Sequence, residues 1–212
     1  MLLVFVSAGV LALVLSFWFK DLIIEGQYMG VFMLQNNEEL RLGFALFIVS
    51  EVMFFFSFFW SFLHYSLTPS VWIGSVWPPY DMETIPAFGL PFLNTVILLT
   101  SGFTLTYAQK VIIENGPMAR AHATAGLSAT IALALLFLAV QYYEFVHAPF
   151  SINDSVYGSI FFLITGFHGL HVIIGTIFLI IVLMRFVDNH FYVENTLALD
   201  CAAWYWHFVD VV

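Results

Sequence analysis

Five ionisable side chains interrupt otherwise apolar stretches of this sequence: Glu51, His168, His171, His207 and Asp210. Glu51 stands in Leu46-Phe47-Ile48-Val49-Ser50-Glu51-Val52-Met53-Phe54-Phe55-Phe56, near the middle of an apolar run covering 42–63. An ionisable group in such a run is costly and is by default a functional hypothesis. Burial disfavours the charged form of a carboxyl unless a cation is near, and the basic residues sit only at run ends. A protonated or hydrogen-bonded Glu51 is therefore expected. Its chemistry could be proton relay, contact with a polar ligand such as a lipid headgroup, or a hydrogen bond to a neighbouring helix. A lone carboxylate makes an incomplete proton path.

His168 and His171 are three apart in Gly166-Phe167-His168-Gly169-Leu170-His171, so they share a helix face, and His207 and Asp210 have the same spacing. Imidazoles at this spacing with a carboxylate could hold zinc, iron or copper. Membrane di-iron enzymes need many more histidines, and a haem pair needs facing histidines at matched depth. Gly166, Gly169 and Gly175 suggest instead a tight helix crossing with the histidines as interhelical hydrogen-bond donors. The runs Phe54-Phe55-Phe56 and Phe58-Phe59-Trp60 read as lipid-facing or helix-packing surface. Three functions stay open on these residues. One is a non-catalytic membrane subunit. Another is a small transporter or proton channel with Glu51, His168 and Asp210 as a relay. The third is an electron carrier using the histidine pair.

The elements that must position these groups are membrane helices. Hydrophobic residues make up 62% of the 212 and charged residues 9%, and mean hydropathy is +0.97. Soluble domains carry about 25% charged residues, so lipid must solvate most of this chain. About 20 apolar residues cross a bilayer as a helix. On that rule spans fall near 1–19, 42–63, 91–109, 124–143 and 157–184, and a sixth, partial span begins near 201. The expected fold is an all-α, polytopic transmembrane bundle, a single domain over 1–212, with 1–41 as first span and connector and 42–212 as main bundle. The connector 64–90, with Trp72, Trp77, Pro78 and Pro79, suits an ordered interfacial loop.

Charge supports this layout. Lys20, Arg41, Lys110, Arg120 and Arg185 all fall on one side of it, and connectors 64–90 and 144–155 hold no Lys or Arg. Met1 to Phe19 lacks the basic opening of a signal peptide and is longer than one, so it reads as a span. A formal charge of -9 with five basic residues excludes nucleic-acid binding. The single Cys201 permits no internal disulfide.

The same segments resemble one family closely: subunit III of the haem–copper cytochrome c oxidases. The matching stretches include Arg41-Leu42-Gly43, Phe47 through Phe55, Trp77-Pro78-Pro79 and Pro91-Phe92-Leu93-Asn94-Thr95. Further on come Gly158-Ser159-Ile160-Phe161-Phe162, Gly166 through Gly175, and Ala202-Ala203-Trp204-Tyr205-Trp206-His207-Phe208-Val209-Asp210-Val211-Val212. The resemblance implies a non-catalytic core subunit of respiratory complex IV, with no catalytic residue and no bound metal of its own. Haem and copper then lie in the neighbouring catalytic subunits, and subunit I and other oxidase subunits are partners. It further implies structural phospholipids, with Glu51 beside a lipid cleft and Lys20, Arg185 and His190 toward headgroups. His168, His171, His207 and Asp210 become helix-packing polar groups. The expected location is the mitochondrial inner membrane, basic loops to the matrix, with a bacterial plasma membrane as the other option.

Departures from the family pattern are few. Val31-Phe32 stands where the family has a histidine pair, and Leu199-Asp200-Cys201 replaces Phe-Glu-Ala. Family members typically have seven helices, whereas this sequence starts at what resembles the second and ends inside the seventh. Separate short chains completing the first and last helices are expected partners on this reading.

Overall fold

The computed structural model describes residues 2–27, 34–80, 82–114, 116–189 and 196–212. His190, Phe191, Val31 and Phe32 lie outside the described residues. Among the described residues six α-helices follow in order: α1 (Leu2–Gln27), α2 (Leu34–Leu67), α3 (Leu90–Glu114), α4 (Ala119–His147), α5 (Ser155–Val187) and α6 (Leu197–Val211). There is no strand among the described residues.

Proline explains part of the punctuation. The ring removes a backbone donor and clashes with the preceding turn, so it is tolerated only at or outside helix ends. α2 stops at Leu67, ahead of Pro69, and α4 stops at His147, ahead of Pro149. Ala148, which precedes that proline, is extended at φ -61°, ψ 132°, as the ring demands of its neighbour. Pro91 sits in the first turn of α3, where its missing N–H costs nothing. Between α2 and α3 a short 3₁₀ turn, Val71–Ile73, is capped by Ser70, whose Oγ accepts from Trp72 N at 3.3 Å. It ends at Gly74, whose φ of 80° is left-handed.

Among the described residues five helices are long and apolar enough to cross a membrane. They overrun the expected spans because the 20-residue rule measures the hydrocarbon core, whereas helical hydrogen bonding continues into the headgroup region until a breaker intervenes. α6, at 15 residues, is about 22 Å long, short of the ~30 Å core. It begins at Leu197, earlier than the apolar run, because Asp200 favours the positive end of the helix and accepts from Thr196 Oγ1 at 3.0 Å.

The chain forms two compact units, Met1–Phe44 and Ala45–Val212. In the first, α1 carries exposed apolar side chains all round, among them Leu3, Phe5, Phe17 and Trp18. Such a surface suits lipid. Arg41 pairs there with Glu38 at 2.8 Å.

In the second unit α3 packs on α4, α4 on α5, and α6 on both α3 and α5. Lipid tails are as apolar as leucine, so packing here depends on close approach and interhelical hydrogen bonds. Small residues supply the approach. A Cβ on Gly126 would stand 2.9 Å from Ala108 Cβ, and one on Gly175 would stand 3.0 Å from the Trp206 ring. Hydroxyls supply the bonds: Thr104 and Thr130 lie 2.7 Å apart between α3 and α4, and Trp206 Nε1 donates to Ser101 Oγ at 3.0 Å. At one end of the bundle Arg120 Nη2 donates to Val187 O, tying the start of α4 to the end of α5.

Candidate functional site

Within the second unit, α2 presents Glu51, Phe54, Phe55 and Phe58 along one face, at helical spacings of three and four. α5 answers with Phe167 and His171, four apart. Phe55 is 2% exposed and stands edge-on to the His171 ring at 4.9 Å. Phe54 and Phe58 meet Phe167 at 5.1 and 5.5 Å, and Tyr205 of α6 stacks on His171 at 6.4 Å. Inside this aromatic wall Glu51 Oε2 lies 2.8 Å from His171 Nε2.

The second nitrogen of His171 decides what that contact is. Nδ1 lies 2.7 Å from Phe167 O, a carbonyl that can only accept, so Nδ1 carries a hydrogen. One further proton then sits between Nε2 and Oε2, on the carboxyl or on the imidazole. Either placement leaves the pair without net charge. A glutamate is thereby held at mid-helix with its desolvation offset by a partner.

His168, one turn away, goes elsewhere. Its Nε2 donates to Val209 O of α6 at 3.0 Å, and its ring meets Phe137 of α4 at 5.6 Å. The shared face expected for the histidine pair therefore splits between two neighbours, α2 for His171 and α6 for His168. The relay of Glu51, His168 and Asp210 is corrected accordingly: Glu51 is engaged by His171, and His168 by a backbone carbonyl. His207 Nε2 lies 3.3 Å from Thr106 Oγ1 of α3. Asp210 packs against Gly102, where an added Cβ would come within 2.8 Å of Oδ2. Nearer the basic end, Gln109 Nε2 donates to Asp200 Oδ1 at 3.1 Å.

Lys20 is exposed on α1, and Arg185 is half-buried in the last turn of α5, where a cation favours the helix dipole. Among the described residues no group of three or more His, Cys, Asp or Glu converges as metal ligands. Among the buried polar residues that the sequence did not single out for chemistry are Glu144 and Asn94. Glu144, 6% exposed, fell just past the expected end of its span, but α4 runs on to His147 and carries it inward. Asn94, 4% exposed, had no charge to flag it. Its only signal was an amide among apolar neighbours one turn into a span.

Comparison with known proteins gives a consistent result. The family model for cytochrome c oxidase subunit III matches residues 1–212. The chain is 48% identical to cytochrome c oxidase subunit 3 of Drosophila melanogaster, over 92% of this chain and 73% of that protein. Against the protein of the same name from Prototheca wickerhamii it is 48% identical, over 94% and 75%. For Arabidopsis thaliana the values are 50%, over 92% and 72%.

Proposed function

The chain belongs to the cytochrome c oxidase subunit III family, and from that premise we propose that it works as a non-catalytic membrane subunit of a respiratory cytochrome c oxidase. One observation carries the reading on the structural side. Four of the five ionisable side chains that looked reactive are engaged between helices: Glu51 with His171, His168 with Val209 O, His207 with Thr106. Such groups build a scaffold between helices. Electron transfer and oxygen reduction then belong to neighbouring subunits that hold haem and copper, with subunit I as the principal partner.

Phospholipid binding is part of the same proposal. Lys20 follows the apolar run of α1 and Arg185 lies in the last turn of α5, and the family resemblance supports a lipid role for them, with His190 and Glu51. The location proposed is the mitochondrial inner membrane with the basic connectors in the matrix, where the positive-inside rule puts them.

The test is purification through a tag on this chain. The haem-bearing catalytic subunit and tightly held phospholipid should come with it, and the chain separated from its partners should show no haem absorption. Haem bands in the isolated chain, or its recovery without the catalytic subunit, would refute the proposal.

A further inference from the structure

The connector between α2 and α3 holds a tryptophan, Trp72, that is 96% exposed in the short turn Val71–Ile73. Leu67, Val71 and Tyr80 of the same segment are exposed as well. From Tyr65 to Tyr80 the sequence has no Asp, Glu, Lys or Arg. An exposed apolar surface of this kind marks contact with a membrane or with another protein.

The turn is pinned in shape. Ile73 N and Ser75 N both donate to Ser70 O at 3.1 Å, and Gly74 N donates to Val71 O at 3.1 Å. Gly74 and Ser75 close it with left-handed backbone, φ 80° and 55°, which a residue with a side chain such as Ser75 adopts only where its surroundings fix it. Trp72 therefore stays exposed unless these bonds break.

Its depth is fixed from both sides. α2 ends at Leu67, four residues or about 6 Å beyond the end of the apolar run 42–63. The connector then folds back, for the Trp77 ring meets Phe62 of α2 edge-on at 5.8 Å and Tyr157 of α5 at 5.5 Å. Phe62 belongs to the apolar run, so Trp77 stands at the hydrocarbon edge. Ser75 is two residues from Trp77, a reach of about 7 Å at most, and its bond to Ser70 ties the whole turn to that level. The headgroup layer is itself about 5–7 Å thick on each side. Along α2, Met53, Phe56, Trp60, Leu63 and Leu67 are exposed at spacings of three and four, one stripe of the helix. That stripe leads in sequence to Val71 and Trp72.

We propose that the turn Val71–Ile73 is a membrane anchor, with the Trp72 ring seated in the headgroup layer on the side opposite the basic connectors. The ring supplies apolar area and the indole N–H donates to a phosphate or ester oxygen of a phospholipid. The bilayer is the favoured occupant because the exposed stripe of α2 runs up to the turn and Trp77 ties its base to the hydrocarbon edge. The anchor requires only that the chain spans a membrane, so it stands or falls apart from the oxidase assignment.

The experiment uses native membranes containing the chain in its assembly, with a phosphatidylcholine that carries a diazirine at headgroup depth as the probe. After photolysis, mass spectrometry of residues 65–80 should find lipid attached within Val71–Ile73. Trp72→Tyr should keep that label, and Trp72→Glu should lose most of it. An unlabelled wild-type turn whose Trp72 is oxidised by water-borne hydroxyl radicals would overturn the proposal. So would a polypeptide of another subunit seated on Trp72 in a map of the intact complex, or equal labelling of Trp72→Glu and wild type. If the variants do not accumulate, the wild-type label and map decide.

Discussion

Replacing Glu51 by alanine removes one partner of a 2.8 Å contact and leaves the other, His171, only 8% exposed, without a place for Nε2. An interhelical hydrogen bond in a membrane contributes about 0.6 kcal/mol on average and about 1.7 at most. An orphaned buried polar group adds a penalty of about 1–3 kcal/mol. Together these predict that Glu51→Ala costs about 2–4 kcal/mol. Glu51→Gln keeps an amide N–H that can donate to Nε2 and adds no charge, so assembly survives at a cost of about 1 kcal/mol or less. His171→Ala should resemble Glu51→Ala, and the double variant should recover about 1–2 kcal/mol of coupling. The assay is retention of this subunit in the detergent-solubilised oxidase, as a function of temperature or denaturing detergent, for all four members of the cycle. Equal damage from Gln and Ala would mean that ionisation itself is structural, and zero coupling would mean that the two side chains do not meet. Either result refutes the neutral-pair argument.

Two further predictions concern helix contacts. Gly126→Leu drives a side chain into Ala108 and the Thr104 carbonyl, so α3 and α4 must part, at a cost of about 1–3 kcal/mol or more. Gly43→Leu, with nothing within 4 Å of its Cβ, is the matched control, and a thermal melt showing equal effects would contradict the crossing. Trp206→Phe deletes the donor to Ser101 Oγ and part of a ring that is 1% exposed. It should destabilise by about 1–3 kcal/mol, with part of that loss absent when Ser101→Ala is already in place; full additivity in the melts would count against the bond.

Much of this protein is legible along the chain. Composition requires lipid as solvent, hydropathy marks the spans, and the prolines limit helices wherever a backbone donor or the preceding turn is lost. Glu51 is visibly intramembrane because nine apolar neighbours and one serine surround it in Leu46 to Phe56. Those signals are local: they depend on residues within a few turns of each other. The partner of Glu51 is not local, for His171 lies 120 positions away. Periodicity places His168 and His171 on nearby faces of one helix, yet it cannot tell which neighbour each face meets, or at what height. Close packing at Gly102, Gly126 and Gly175 sets those heights among α3, α4, α5 and α6, and with them the meeting of His168 with Val209. The gathering of Asn94, Glu144 and Asp210 around one cavity is decided in the same way. Three helices contribute one lining residue each, and only their mutual packing encloses the space between them.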